Sequence, residues 1–205
     1  MRRVRAGALV AAACLVACGR ADEGLSPLDE AGRAMLDPRR ARTIDRDGLV
    51  SLLLARGSAR GKTVADVGSG PGAFAEALAR AVGPDGTVVL TDVRADYLSH
   101  ARHRALAAMP GVGVRTRVPR EGHLDLGARS VDALLMVQVD HLFGPRREAM
   151  LLEAFDALRA GGRALIAGTR RNRVPEEIVI ALRARGAVVS RAPRGTALER
   201  LTVDR

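Results

Sequence analysis

The chain has 205 residues, of which 47% are apolar and 27% charged, and its formal net charge is +10. That length fits one ordinary domain with a sizeable core, and the composition excludes a disordered chain. Aromatic residues make up only 2% and tryptophan is absent. The core must therefore be built from Ala, Val and Leu, and base-stacking nucleic-acid modules, which need aromatic platforms, are disfavoured.

The net charge is unevenly distributed along the chain. Residues 1–17 carry three arginines and no acid, whereas residues 18–156 are neutral, with 19 basic and 19 acidic residues. Residues 157–205 carry 11 arginines against four acids. This last stretch is predicted to be a solvated basic surface; the alternative is a surface for phosphate, RNA or anionic lipid. Its candidate residues are Arg170, Arg171, Arg173, Arg183, Arg185, Arg191 and Arg194.

The first 17 residues have the pattern of an export signal. A positive start is followed by the uncharged run Ala6–Ala17, which is too short to span a bilayer as a helix. The run ends in LVAC and resembles the lipobox of bacterial lipoproteins, which implies cleavage before Cys18, lipidation of Cys18 and attachment to the membrane of the bacterial cell envelope. The alternatives are an ordinary secretory signal, or a mis-called start codon upstream of a cytoplasmic enzyme. Cys14 is the only other cysteine, so the mature domain contains no disulfide and no cysteine-based metal site.

Residues 18–42 are rich in Gly, Pro and charge, and they predict a tether with at most one short helix near Leu28–Leu36. From Thr43 onward the sequence alternates between strand and helix patterns, and this predicts one domain over residues 43–205. The predicted strands are 63–67, 87–92, 113–118, 131–139, 163–168, 187–190 and 198–203. The predicted helices are 43–56, 72–82, 95–108, 146–159 and 175–185, the fourth being closed by Gly161-Gly162.

This alternation with short loops predicts an α/β fold with a mostly parallel sheet and helices on both faces. The last two strands are too close together for an intervening helix, so the final strand is predicted to be antiparallel. Ligands of such sheets bind at the carboxyl ends of the strands, near the point where the strand order reverses.

The strongest chemical signal is VADVGSGPG, residues 64–72, which leads from the first strand into a helix. Gly68, Gly70 and Gly72 permit positive φ and a close approach to a ligand, and the helix N-terminus directs N–H groups at that ligand. Asp92 lies at the end of the second strand, where an acid can bind the two hydroxyls of a ribose.

Two kinds of cofactor suit this loop. Residues 68–73 satisfy a permissive dinucleotide motif, although that motif alone is weak. Asp66 favours a different ligand, because a buried carboxylate at a strand end is costly unless it binds something. Dinucleotide folds usually keep this position apolar, whereas a cofactor with an ammonium group would benefit from the charge.

These motifs are similar to those of the class I S-adenosylmethionine-dependent methyltransferases. VADVGSGPG resembles their first motif and TVVLTDV their second strand; SVDALLMVQVDHLF and LLEAFDALRAGGRALIAG resemble their fourth and fifth strand regions. The resemblance covers residues 43–205 and implies a Rossmann-like, doubly wound sheet of seven strands that binds S-adenosylmethionine.

The resemblance also implies roles for individual residues. Asp66 and the loop 68–72, including Ser69, would hold the methionine part of the cofactor, and Asp92 its ribose. Val93 would lie beside the adenine. Glu121 is a candidate for a second adenine contact, with a register shifted from the family's usual aspartate.

Chemistry is predicted at the end of the fourth strand, which faces the methyl donor in this family. His141 is the candidate base, with Asp140 or Gln138 positioning the acceptor, and Gln138 is also a candidate cofactor contact. The alternative is that His141 only caps its loop. His100 and His103 are spaced to bind a metal, but no carboxylate or cysteine accompanies them, so they predict a solvated helix face and no metal site.

The sequence therefore predicts an S-adenosylmethionine-dependent methyltransferase acting on an unidentified acceptor, which the short loops predict to be a small molecule. The alternative is a membrane-tethered lipoprotein with a methyltransferase-like fold that binds a ligand without catalysis. A dinucleotide-dependent oxidoreductase is a third hypothesis, against which Asp66 argues.

Overall fold

The computed structural model describes residues 25–192 and 198–205, which form one seven-stranded sheet in the order β3-β2-β1-β4-β5-β7-β6. The strands are β1 (Thr63–Val67), β2 (Thr87–Thr91), β3 (Gly113–Arg117), β4 (Val131–Val137), β5 (Leu158–Gly168), β6 (Val188–Arg191) and β7 (Glu199–Asp204). The helices are α1 (Glu30–Met35), α2 (Pro38–Thr43), α3 (Arg46–Leu53), α4 (Ala75–Val82), α5 (Ala95–Ala108), α6 (Arg147–Ala157) and α7 (Glu176–Ala184). Short 3-10 segments cover Asp140–Arg146 and Arg170–Asn172.

The two faces of the sheet are covered by different helices. Helices α3, α4 and α5 pack on one face against side chains such as Val64 and Leu135, and α6 and α7 pack on the other against residues such as Ala65 and Met136. Neighbouring residues of a strand point to opposite faces, so the apolar run of β4 is explained by burial on both sides.

The strand order reverses between β1 and β4. β1 pairs in parallel with both β2 and β4, while β7 runs antiparallel between β5 and β6. The predicted doubly wound sheet and the predicted antiparallel last strand are therefore confirmed. The loop after β1 and the residues after β4 lie at the carboxyl edge beside this reversal, where ligands of such sheets bind.

The prediction that Gly161-Gly162 closes the preceding helix is wrong. Helix α6 ends at Ala157 and β5 starts at Leu158. Gly161 N donates to Arg205 O at 2.9 Å, and Arg205 N donates to Gly162 O at 3.0 Å. The glycines therefore belong to an irregular strand start, which is held by the C-terminal residue rather than by a helix cap.

The short helix predicted near Leu28–Leu36 is present as α1, but residues 38–43 form a second helix, so the predicted limit of one helix is wrong for the described part of residues 18–42. Asp29 Oδ1 accepts from Gly32 N at 2.8 Å, and Asp37 Oδ1 accepts from Arg39 N at 2.6 Å, so each helix starts at an aspartate cap. Tyr97 on α5 donates to Asp29 Oδ1 at 2.6 Å, which joins α1 to the domain.

Within the described ranges, 25–192 and 198–205, no helix is both long and apolar enough to cross a membrane. The predicted signal peptide, residues 1–17, and the predicted lipidation site Cys18 lie outside these ranges.

Candidate active site

The loop between β1 and α4 contains three glycines that all adopt positive φ: Gly68 at 69°, Gly70 at 53° and Gly72 at 93°. A Cβ on Gly68 would lie 2.4 Å from Val139 Cγ2, and one on Gly72 would lie 2.6 Å from Ala101 Cα. Glycine is therefore required by backbone conformation and by packing at once. The loop is pressed between the end of β4 and helix α5.

Asp66 is the most unusual group in the sheet. It lies on β1 between Leu90 of β2 and Leu135 of β4, and only 2% of its surface is exposed. Its Oδ2 has no hydrogen-bond partner among the described residues. Burial, and secondarily the charge of Asp92, raise the pKa of Asp66 to about 7. The carboxylate is thus a buried acceptor that the described part of the protein leaves unsatisfied.

Asp92 follows β2 and holds the glycine loop in shape. Its Oδ2 accepts from Gly70 N at 2.8 Å and its Oδ1 accepts from Arg94 N at 3.0 Å. A carboxylate oxygen has two lone pairs, so both oxygens keep capacity for a further donor. Val93, the next residue, is 77% exposed, although it is apolar. The pair therefore offers acceptors for a diol beside an uncovered apolar surface.

The end of β4 contacts both the glycine loop and the N-terminal helices. Gln138 has a φ of 57°, its N donates to Ala167 O at 2.7 Å, and its Oε1 accepts from Arg40 of α2 at 2.5 Å. Val139 packs over Gly68. The predicted cofactor residues therefore meet at one edge of the sheet: Asp66 near the end of β1, the loop 68–72 after it, Asp92 after β2 and Gln138 after β4.

Asp140 and His141 differ in their surroundings. The Asp140 carboxylate is 1% exposed and accepts from Arg147 Nε at 2.9 Å and from Arg147 Nη2. Arg147 also donates to the Asn172 carbonyl at 2.6 Å, so this ion pair joins the end of β4 to α6 and to the segment after β5. His141 is half-buried, and its Nδ1 is buried without a hydrogen-bond partner among the described residues. Asp140 thus positions the strand end, while a base role for His141 stays a prediction.

Glu121 is exposed in the turn after β3, at the same edge of the sheet. Arg120 and Asp125 close this turn: Arg120 Nε donates to Asp125 Oδ1 at 2.8 Å. The Arg120 side chain, by hydrogen bonding, lowers the pKa of Asp125 to about 2. The adenine contact of Glu121 stays a prediction.

The N-terminal helices supply site residues that the sequence did not predict. Met35 of α1 lies over the glycine loop, with its Sδ 3.0 Å from the position a Cβ on Gly70 would take. Asp29 binds Arg94 as well as Tyr97, and these hydrogen bonds, that of Arg94 first, hold the pKa of Asp29 well below its usual range. The signals that could have revealed these helices are the Asp-Glu and Asp-Pro pairs at their starts.

His100 and His103 both lie on α5, and the sequence predicts no metal site there. Residues 25–192 and 198–205 contain no group of three or more His, Cys, Asp or Glu side chains placed to hold a metal ion. His100 Nε2 instead contacts the Ser26 carbonyl at 2.8 Å, which joins α5 to the N-terminal segment.

Residues 64–162 match the model of a family described as "Methyltransferase domain". The chain is 34% identical over 108 residues to an arsenite methyltransferase of Halobacterium salinarum; the match covers 53% of this chain and 27% of that protein. The chain therefore spans about a quarter of the length of this curated relative.

Solved structures show the same fold. A methyltransferase dependent on S-adenosylmethionine from Aquifex aeolicus superposes with a TM-score of 0.66 at 21% identity, covering 87% of this chain and 98% of that one. The magnesium protoporphyrin IX methyltransferase of Synechocystis PCC 6803, solved with S-adenosylmethionine bound, gives 0.64 at 19% identity, covering 88% and 86%.

Proposed function

We propose that the chain is a class I S-adenosylmethionine-dependent methyltransferase that transfers the cofactor's methyl group to a small-molecule acceptor, and the match of residues 64–162 to a methyltransferase-domain model supports this. The single observation that carries the proposal is the buried, unpartnered carboxylate of Asp66 at the strand-order reversal. A buried acid without a cation is costly, and the amino group of a bound methionine moiety would relieve that cost.

The residues around Asp66 fit such a cofactor. Asp66 would bind the ammonium group, and the glycine loop that follows it turns through the positive φ of Gly68 and Gly70. Asp92 keeps free lone pairs for the ribose hydroxyls, and the exposed Val93 offers an apolar surface for adenine. Glu121 and Gln138 complete the proposed set at the same edge.

The chemistry needs little from the protein beyond alignment and a base. When bound, the cofactor would supply a methyl group on a positively charged sulfur: the acceptor bonds to the methyl carbon in line, the carbon–sulfur bond breaks, and the sulfur leaves as a neutral thioether. An acceptor O–H or N–H must lose its proton during attack. His141, which follows the end of β4, is the candidate base for this step. The ion pair of Asp140 with Arg147 fixes the segment that carries His141.

Arsenite, which the name of the curated relative gives as its acceptor, does not suit this chain. The arsenic(III) of arsenite is a soft centre, and thiolates bind it well for the same reason that they prefer soft metal ions. Cys14 lies in the predicted leader, Cys18 is the predicted lipidation site directly after it, and residues 19–205 contain no cysteine. A small organic acceptor with an oxygen or nitrogen nucleophile therefore suits this chain better.

Calorimetry on the full chain tests the proposal, with S-adenosylmethionine, S-adenosylhomocysteine and NAD as ligands. We expect micromolar binding of the first two and none of NAD. Asp92→Ala removes the ribose acceptors and should weaken binding by at least about tenfold, the equivalent of one charge-assisted hydrogen bond.

Asp85→Ala is the matched control, because Asp85 is an exposed acid in the turn before β2, at the opposite edge of the sheet. It should bind as the unchanged protein does. Failure of both nucleosides to bind would refute the proposal, and binding of NAD alone would favour the oxidoreductase hypothesis instead.

We further propose that Cys18 is lipidated and that the protein resides at the bacterial cell envelope. The support is the sequence of the leader, a positive start, a short apolar run and LVAC. Labelling cells with a fatty-acid analogue should mark the protein and its Cys14→Ser variant, but not Cys18→Ser. Equal labelling of both variants, or unlabelled protein in the cytoplasm, would contradict this proposal.

A further inference from the structure

Most arginines of the basic C-terminal quarter are engaged in ion pairs within the fold. Eight of its eleven arginines contact an Asp or Glu carboxylate: Arg159, Arg163, Arg173, Arg183, Arg185, Arg191, Arg200 and Arg205. Arg194 lies outside the described residues. Arg170 and Arg171 are left, both exposed and without an acidic partner among the described residues. Among the described arginines of this quarter, those without an acidic partner therefore lie at one place in the fold.

That place adjoins the end of β4. Arg170 and Arg171 form the short 3-10 segment that begins two residues after Gly168, the last residue of β5. β5 lies beside β4, and Gln138 N donates to Ala167 O at 2.7 Å. The two arginines thus follow the strand end next to the one that carries His141.

A third arginine without an acidic partner approaches the same strand end from the N-terminal side. Arg40 of α2 donates to Gln138 Oε1, and it too is exposed and has no acid beside it in the described part of the chain. Arg40 therefore contacts the residue that follows β4, and Arg170 and Arg171 follow the end of the neighbouring strand β5; none of the three has a counter-ion among the described residues.

Buried groups at this edge point the same way. Arg200 on β7 is the cross-strand partner of Ala167, and its side chain is only 18% exposed. It pairs with Asp45 through Nη2, but its Nε is buried and has no partner among the described residues. The acid at the end of β4, Asp140, is neutralised by Arg147. Beside the end of β5, Arg200 Nε is therefore a buried donor without a partner, and the charge of Asp140 is already compensated by Arg147, although its Oδ1 has no hydrogen-bond partner among the described residues.

We infer that the methyl acceptor carries a carboxylate or phosphate group, which Arg40, Arg170 and Arg171 bind beside the end of β4. This inference rests on the proposed function and specifies the substrate class of the same site. Guanidinium groups match carboxylates and phosphates through paired hydrogen bonds, and uncompensated positive charge in a cleft raises the local concentration of anions.

The test uses the full chain, with inorganic phosphate and benzoate as probes, at constant ionic strength set by chloride. Each anion is titrated by calorimetry into the protein alone and into protein saturated with S-adenosylhomocysteine. We expect both anions to bind at one site. Arg40→Gln and the double variant Arg170→Gln/Arg171→Gln should each weaken this binding by about tenfold, the loss expected for a charge-assisted hydrogen bond.

Arg115→Gln is the matched control, since Arg115 is equally exposed and has no acidic partner among the described residues, but lies on the distant edge strand β3. It should leave anion affinity unchanged. Equal effects of all three variants, or no anion binding to protein that binds S-adenosylhomocysteine, would overturn the inference and leave the proposed function intact. Loss of nucleoside binding would instead refute both.

A membrane source of the anion is tested with vesicles of phosphatidylcholine, with and without phosphatidylglycerol. Binding to the anionic vesicles that requires Arg170 and Arg171, without binding of free phosphate or benzoate, would assign these arginines to a lipid surface and overturn the inference. Binding of the free anions, with no preference between the vesicles, would support it.

Discussion

The ends of β1 and β4 each carry a buried aspartate, and the two carboxylates differ in what neutralises them. Asp140 is 1% exposed and pairs with Arg147, whereas Asp66 is 2% exposed and has no cationic partner among the described residues. Removing an unpaired carboxylate from water costs several kcal/mol, which a partner or a proton must offset. The fold therefore supplies a cation for Asp140, whose Oδ2 is bonded while its Oδ1 has no hydrogen-bond partner among the described residues, and it leaves Asp66 for a cation that arrives with a ligand.

Asp140→Asn should have the largest effect on stability. It keeps the shape of the side chain but leaves the charge of Arg147, which is 15% exposed, without its partner. Breaking a buried ion pair from one side costs about 3–5 kcal/mol, and we expect a loss of that size in urea unfolding at pH 7.

The control is Asp156→Asn, which breaks a pair with Arg185 at 2.5 Å and a looser one with Arg205 at 3.8 Å; the Asp156 and Arg185 side chains are 45% and 46% exposed. Exposed pairs contribute about 0–1 kcal/mol, so this variant should unfold almost as the unchanged protein does. Equal losses in both variants would mean that the Asp140 pair is no more important to the fold than a surface pair.

Asp66→Asn should raise the free energy of unfolding, whereas Asp140→Asn should lower it. The pKa of Asp66 is raised to about 7 from 3.8, chiefly by burial. The folded protein then carries the penalty of a buried charge above that pH, and the variant removes it. At pH 8 we expect the free energy of unfolding to rise by up to about 4 kcal/mol, from 1.36 kcal/mol per pKa unit, while S-adenosylmethionine binding is lost.

The pH dependence supplies the check on this interpretation. A carboxyl whose pKa is higher in the folded than in the unfolded state binds more protons when folded, so stability falls as pH rises from about 4 to about 7. Urea unfolding at pH 5 and pH 8 should show this fall in the unchanged protein and a smaller one in Asp66→Asn. Parallel pH profiles for the two proteins would contradict a buried, uncompensated Asp66.

Gly68→Ala tests the backbone that presents Asp66 to its ligand. Alanine at a φ of 69° costs about 1–2 kcal/mol, and the new Cβ would meet Val139 Cγ2 at 2.4 Å. Gly61→Ala is the control, because Gly61 has a φ of 72° and nothing within 4 Å of the added Cβ. Gly68→Ala should lose more stability than Gly61→Ala, and Val139→Ala should restore part of the difference. No excess loss would show that the loop relaxes away from β4.

The sheet and the end of β1, which carries Asp66, could be predicted from sequence, because their signals are local. Apolar runs define the strands, and Asp66 stands in the same short motif as its glycines. The ion pair at the end of β4 could not be predicted, since Asp140 pairs with Arg147 on the next helix, α6. Arg40 and Gln138 are 98 positions apart, and a contact between polar side chains at that separation leaves no periodic pattern. Helix α2 is too short for periodicity, and α1 is joined to the domain by the hydrogen bond from Tyr97 of α5 to Asp29.

Asp29→Ala should have the smallest effect on stability, because it acts on this N-terminal cover and not on the core. Asp29 caps α1 and binds Arg94 and Tyr97, but it lies at the surface, where such interactions are screened. Global unfolding should hardly change, while amide hydrogen exchange should quicken across both α1 and α2. Asp37→Ala, which removes only the cap of α2, should quicken exchange in α2 alone. If Asp29→Ala also leaves S-adenosylhomocysteine affinity unchanged, the cofactor site around Asp66 is formed by the sheet and the glycine loop without α1. If affinity falls, Met35 and its helix belong to the cofactor site.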